Sequence, residues 1–311
     1  MDIEKKYRKK IIFFVFSSCI AILLIGMLRE EPYSSEFNKN AYWTTKTFSD
    51  KKFNMVIYGD SRVYRGIDPG IMNKELPEFC GYNFGYSSAG INSKMLEFIG
   101  GRINSKAKNK MIIIGITPNS ITSEASKNGH FNALKKMNWY DIFKRKYIKH
   151  LSFFEPINPR QFLNLIIGSG YKYYEKFHDN GWVESELVPH DLKRGLILYE
   201  KNFEDNKVDL NYVDTLVRYI NTWNKKDIIT AVINMPSSKE MVLIENQYSG
   251  YQENIVKNKI IKGGGIWIDF RRSDYVSYDG SHLTGESAKI FSNDLCLALR
   301  KELLKRKLIK V

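Results

Sequence analysis

The chain has 311 residues, 43% hydrophobic and 26% charged, a composition that excludes a disordered polymer and suits one large folded domain or two modest ones. Its 48 Lys and Arg against 34 Asp and Glu give a net charge of +14, a balance matched to an anionic membrane surface or an anionic polymer. No zinc-finger, RRM or other nucleic-acid motif accompanies that charge, so nucleic acid is not an expected partner.

The three cysteines, Cys19, Cys80 and Cys296, are too few for a disulfide framework. The five histidines show no ligand spacing with Cys or carboxylates, so neither a metal nor another cofactor is expected.

Residues 1–10 form a basic tail holding Lys5, Lys6, Arg8, Lys9 and Lys10. Residues 11–28 carry no charge, and about 20 apolar helical residues cross a bilayer core. With the cations before this run, the positive-inside rule places the N-terminus in the cytoplasm and the rest outside. A cleaved signal peptide is the rival, but no small-x-small site follows the run. The expectation is therefore a single-pass anchor at 11–28 in the cell membrane. Residues 29–53 are polar, with Pro32 and paired serines, and read as a stalk or a first helix.

From residue 54 onward the pattern is α/β. Met55-Val56-Ile57-Tyr58 is a buried strand that breaks into Gly59-Asp60-Ser61. Asp60 and Ser61 can cap the next helix, or Ser61 can stand at the mouth of a crevice. Asp68-Pro69 starts a short helix. A strand at 81–86, a Ser-Ser-Ala-Gly turn and a helix at 91–105 follow. Lys110 to Ile116 make a third strand, apolar on both faces as a central parallel strand would be.

The alternation stops over residues 120–205, where aromatic and basic residues interleave. So long a structureless loop is improbable inside a domain, so a mainly helical insertion is expected, with a turn at 177–182. It reads either as a glycan or lipid platform or as a cap with its own small core. The rhythm then resumes with a helix at 211–223, a strand at 227–234, a helix at 239–261 and a strand at 266–270. A loop with Asp279 and His282 precedes a last helix at 285–308. Five strands alternating with helices imply a parallel sheet covered on both faces.

The polar clusters all follow strands, and a parallel sheet gathers those ends on one edge. A serine becomes a nucleophile when a histidine removes its proton and a carboxylate steadies the imidazolium. Ser61, His282 and Asp279 have that chemistry. Oxyanion donors could be the Ser61 amide, an amide of the Gly85–Gly90 turn, and the Asn119 side chain. Arg62 and Arg65 flank the serine and suit an anionic substrate or a solvated helix start. His178 and Trp182 are candidates for a sugar site or a structural turn.

Gly59-Asp60-Ser61, the block from Asn83-Phe84-Gly85 through Gly90, and Asp279-x-x-His282 together resemble the SGNH/GDSL hydrolase superfamily over residues 54–116 and 227–300. The resemblance implies a flavodoxin-like three-layer α/β/α fold with Ser61 as nucleophile, His282 as base and Asp279 as orienting acid. One departure is visible: the family's Gly-x-Asn-Asp block corresponds here to Gly115-Ile116-Thr117-Pro118-Asn119. With an anchor and an insertion, the chain looks most like the membrane-anchored SGNH-like proteins, DltD-like or partnered with multi-span membrane-bound O-acyltransferases. The implied function is extracytoplasmic acyl transfer, an O-acetylation, onto a glycan or polyol hydroxyl of a cell-envelope polysaccharide. A carbohydrate esterase or deacetylase with the same site, and a non-catalytic envelope-assembly docking protein, are the alternatives.

Overall fold

In a computed structural model of the chain, which describes residues 2–27, 35–150, 172–270 and 274–308, five short apolar runs pair into one parallel sheet. They are β1 (Met55–Tyr58), β2 (Gly81–Asn83), β3 (Met111–Ile116), β6 (Ile229–Asn234) and β7 (Ile266–Ile268), in the order β2-β1-β3-β6-β7. Side chains alternate across a strand, and the two cores divide accordingly. Val56, Tyr58, Ile112, Ile114 and Val232 face one core; Met55, Ile57, Ile113, Ala231 and Ile233 face the other. A sheet buried on both sides has no polar face, which is why these strands read as continuous apolar runs.

The chain begins with α1 (Asp2–Met27) and α2 (Glu36–Phe48); α3 (Ser61–Gly66), α4 (Pro69–Glu75) and α5 (Ser93–Gly100) come with the first strands. Short helices α6 (Ser123–Ser126) and α7 (Gly129–Lys135), then α8 (Trp139–Ile148), follow β3. The later helices among the described residues are α9 (Leu192–Asp205), α10 (Leu210–Asn224), α11 (Lys239–Tyr248), α12 (Glu253–Lys262) and α13 (Gly285–Lys305). Helices α5, α10 and α12 supply Met95, Leu216 and Ile260 to one core. Helices α3, α4 and α13 supply Val63, Met72, Phe291 and Leu295 to the other. The sheet is therefore covered on both faces.

Two expectations change, and one open reading closes. The insertion is not mainly helical throughout: β4 (Lys172–Phe177) and β5 (Val183–Val188) form an antiparallel hairpin, with the expected turn at its tip. The helix at 239–261 divides into α11 and α12, because Gly250 adopts φ +75 after the C-cap Ser249, a left-handed backbone that ends a helix. Of the two readings of 29–53, the helix is what forms. Its Trp43 and Lys46 are buried, and Lys46 Nζ donates to the Tyr42 hydroxyl and the Gly181 carbonyl at 3.0 and 3.1 Å.

Residues 11–27 of the uncharged run lie on α1, whose Ile11, Phe13, Phe14 and Phe16 side chains are exposed. Among the described residues no helix is long and apolar enough to cross a membrane. The end of the expected 11–28 span, the start of the 29–53 segment, residues 151–171 of the insertion and Lys310 lie outside the described residues.

Candidate active site

The sheet starts at β1, adds β2 on one side and then β3 on the other, so the ends of β1 and β3 diverge into a crevice. Gly59 makes the exit turn there. A Cβ at this position would lie 2.3 Å from Val63 Cγ2 and 2.6 Å from the Gly115 carbonyl oxygen, so only glycine fits. Asp60 then caps α3: its Oδ1 accepts from the Arg62 amide at 3.0 Å. Its Oδ2 accepts from the Thr117 hydroxyl at 2.5 Å, which ties the β1 turn to the β3 turn. Burial pushes the Asp60 carboxyl up, against the opposing pull of Arg62 and Thr117. The capping reading of Asp60 is correct, and it leaves Ser61 as the first helical residue.

From the other end of the chain, Asp279 folds the loop before α13. Its Oδ1 accepts from the Ser281 and His282 amides at 2.9 and 2.8 Å. That turn brings its Oδ2 to 2.7 Å from His282 Nδ1, while His282 Nε2 lies 2.8 Å from Ser61 Oγ. Burial alone would raise the Asp279 carboxyl, but the His282 ring and the hydrogen bonds from His282 and Ser281 hold it well below the carboxylate range. An ionised Asp279 can only accept, so Nδ1 carries the proton and Nε2 is left to take one from Ser61. Burial lowers the His282 pKa, Asp279 offsets part of this, and the Arg65 and Arg62 cations add to the lowering. The neutral ring is the base form.

Arg62 does not face a substrate. It is 2% exposed, and its Nη2 meets Glu245 Oε1 of α11 at 2.6 Å. Its Nε donates to the Ser281 hydroxyl at 3.0 Å, and the Ser281 hydroxyl donates to Tyr199 of α9 at 3.1 Å. Burial alone would lower Arg62, but Glu245 overrides it and keeps the cation. One buried guanidinium, on the residue after Ser61, thus reaches the residue before His282. Arg65 is partly buried: it donates to the Tyr278 hydroxyl at 2.5 Å and to Glu175 of β4 at 2.9 Å. Tyr278 stacks near His282, with centroids 5.8 Å apart. Arg65 therefore fixes the hairpin and the ring beside the base.

The oxyanion candidates differ in their engagements. The Gly85 amide donates to Asn83 Oδ1 at 2.9 Å and the Gly90 amide to Asn128 Oδ1 at 3.0 Å, so both are already engaged. Asn119 starts a short 3-10 turn, Asn119–Ile121, and its Oδ1 accepts from Asn202 of α9 at 2.8 Å, leaving its NH₂ as the donor. In the first turn of α3, the amides of Arg62, Val63 and Tyr64 all use Asp60. The Ser61 amide has no acceptor among the described residues, and it belongs to the same residue as the Oγ that meets His282.

Trp182 is 1% exposed, and its Nε1 donates to the Arg65 carbonyl at 2.8 Å. It pins the hairpin tip to α3 and is not an open sugar face. His178 stacks on it at 4.5 Å and pairs with Glu184 at 3.2 Å. A cavity of about 560 Å³ is lined by Trp43, Tyr64, Arg65, Ser87, His130 and Glu175, a size that holds a small ligand. Tyr64 and Arg65 are one turn along α3 from Ser61, so this cavity borders the helix that Ser61 starts. Burial, with Lys46 and Lys39, pushes His130 down to about 4, so the ring offers the cavity no charge. A larger cavity of about 1030 Å³ lies between α2, the hairpin and the start of α13; it contains no triad residue and carries no argument about the chemistry.

No cluster of metal-ligating side chains occurs among the described residues. No protein-family model matches the chain, and no curated protein matches it significantly. The sequence reading missed Glu245, Ser281, Tyr199 and Tyr278, which frame Ser61, Asp279 and His282 through Arg62 and Arg65. Ser281 lies inside the Asp279-x-x-His282 stretch and was open to inspection. Glu245 gave no signal, since one Glu on an amphipathic helix looks like any solvent-facing charge.

Proposed function

We propose that the chain is an SGNH-type serine acyltransferase of the cell envelope, held at the membrane by its 11–28 segment with the α/β domain outside the cytoplasm. The observation that carries the proposal is the unbroken relay Ser61 Oγ–His282 Nε2 at 2.8 Å and His282 Nδ1–Asp279 Oδ2 at 2.7 Å. Its support is geometric: residues 221 positions apart meet at the sheet edge, in the roles that hydroxyl activation needs. The parallel sheet is consistent with the flavodoxin-like three-layer fold of that superfamily, and a multi-span membrane-bound O-acyltransferase is the partner such a role implies.

In this mechanism Ser61 Oγ attacks the donor's acyl carbon as its proton passes to His282 Nε2. Asp279 stabilises the imidazolium, and the Ser61 amide with Asn119 Nδ2 receives the oxyanion. The intermediate collapses, the C–O bond to the donor breaks, and His282 returns the proton to the leaving oxygen. An acceptor glycan or polyol hydroxyl then gives its proton to His282 and attacks the acyl-serine, and the reverse steps release Ser61. The cavity beside α3, with Arg65, Ser87 and Glu175 in its lining, offers polar groups that can hydrogen-bond a glycan or polyol.

The test is Ser61→Ala in the producing cell, with the O-acyl content of the envelope polysaccharide measured after mild alkaline release. Loss of acyl groups is the expected result. A rise would mean that water is the acceptor and would replace transfer by hydrolysis.

A further inference from the structure

Helix α8 has no buried residue, which is unusual for a helix folded onto a domain, since burial of an apolar stripe is what holds most such helices. Trp139 is 78% exposed, and Tyr140, Phe143 and Tyr147 are each more than half exposed. Residues turn by about 100° along a helix. Trp139, Phe143, Tyr147 and Tyr140 therefore fall within a single arc of about 100°, with Lys144 at one border and Lys146 at the other. Asp141, Ile142, Arg145 and Ile148 occupy the opposite side and are half-buried, where α8 packs on α2. The exposed arc is thus all aromatic, and cations frame it.

We propose that this arc is a membrane-interface contact: α8 lies flat on an anionic lipid surface, aromatic rings at the headgroup–acyl boundary and Lys144 and Lys146 against phosphate oxygens. Tryptophan and tyrosine favour that boundary because one end of the ring system is apolar and the other is wet. A helix with a basic and aromatic face is the form that binds there in-plane. Charge complementarity selects lipid over another protein surface, in a chain whose net charge is +14.

Chain order agrees. The underlying α2 starts at Glu36, nine positions after α1 ends at Met27, a reach of about 30 Å at most. Whatever surface receives the exposed apolar side chains of α1 is therefore within reach of α8. The contact does not depend on the chemistry assigned to Ser61, since α8 supplies no residue to the triad.

Of the five tryptophans, Trp43, Trp182, Trp223 and Trp267 are buried, so Trp139 alone can report on lipid. The full chain is mixed with phosphatidylcholine vesicles with or without phosphatidylglycerol, and emission is read against lipids brominated near the headgroup and against aqueous iodide. In phosphatidylglycerol vesicles bromolipid should quench a component that Trp139→Phe removes, and iodide should lose access to it. The double change Lys144→Glu with Lys146→Glu should lower the partition constant, read as the lipid concentration that gives half of that quenching, by at least about fivefold per lost cation, with near-UV circular dichroism unchanged. Trp139 remaining open to iodide and untouched by bromolipid would overturn the proposal. So would shielding that grows with protein concentration in the absence of lipid, because a second copy would then cover the arc. Labelling of Ser61 by a fluorophosphonate is a separate readout, so failure here and failure of the acyltransfer reading remain distinguishable.

Discussion

Replacing Glu245 by Ala tests whether the frame behind the triad is held by one buried ion pair. Arg62 and Glu245 meet at 2.6 Å with side-chain exposures of 1% and 0%. Removing the carboxylate strands a guanidinium in the interior, and broken buried pairs of this kind cost about 3–5 kcal/mol. For a domain of this size each kcal/mol lowers the melting temperature by about 2–4 °C, so a fall of about 10 °C is expected. The double change Arg62→Met with Glu245→Leu removes the charge as well as its partner. It forfeits the Arg62 Nε–Ser281 bond, worth about 1 kcal/mol, but leaves no unpaired ion. Chemical denaturation of the purified chain should therefore find the double variant more stable than Glu245→Ala. If both lose the same amount, or if the single change costs under about 1 kcal/mol, the ion pair does not carry the frame.

The pH dependence of Ser61 labelling follows from His282. Its pKa is lowered by burial, and only the neutral ring accepts the serine proton, so the labelling rate rises with pH through a midpoint below the ordinary 6.5 and is flat above it. A midpoint above 6.5 would mean that Asp279 outweighs burial. Asp279→Asn removes both the carboxylate and the tautomer it selects; the rate should fall about 10⁴-fold at constant fold, and the midpoint should move further down because a raising influence is gone. A rate within tenfold of the parent would remove Asp279 from the relay.

The sheet was legible because a strand buried on both faces has a one-letter pattern: Met111–Ile116 is apolar at nearly every position, and its burial is complete. The meeting of Ser61, His282 and Asp279 was legible for a related reason, since polar residues directly after such runs have one place to go. The hairpin was hidden because Lys172–Phe177 mixes aromatic and charged residues on both of its faces, so its strand character depends on pairing with Val183–Val188. Arg62 misled in the opposite direction. A cation beside a nucleophile suggests a substrate anion, and only the fold shows that Glu245, far along the chain, neutralises it. The glycines of the second block were read as donors. Their amides instead answer to Asn83 and Asn128, contacts that no spacing rule announces.

Covalent capture of Ser61 tests the central claim most directly. The full chain is treated with a fluorophosphonate probe and the modified peptide is located by mass spectrometry. The relay predicts a single adduct on Ser61, abolished by Ser61→Ala and reduced by several orders of magnitude in His282→Ala. No adduct on the folded wild-type chain, or labelling of Ser61 that persists undiminished without His282, would contradict the account.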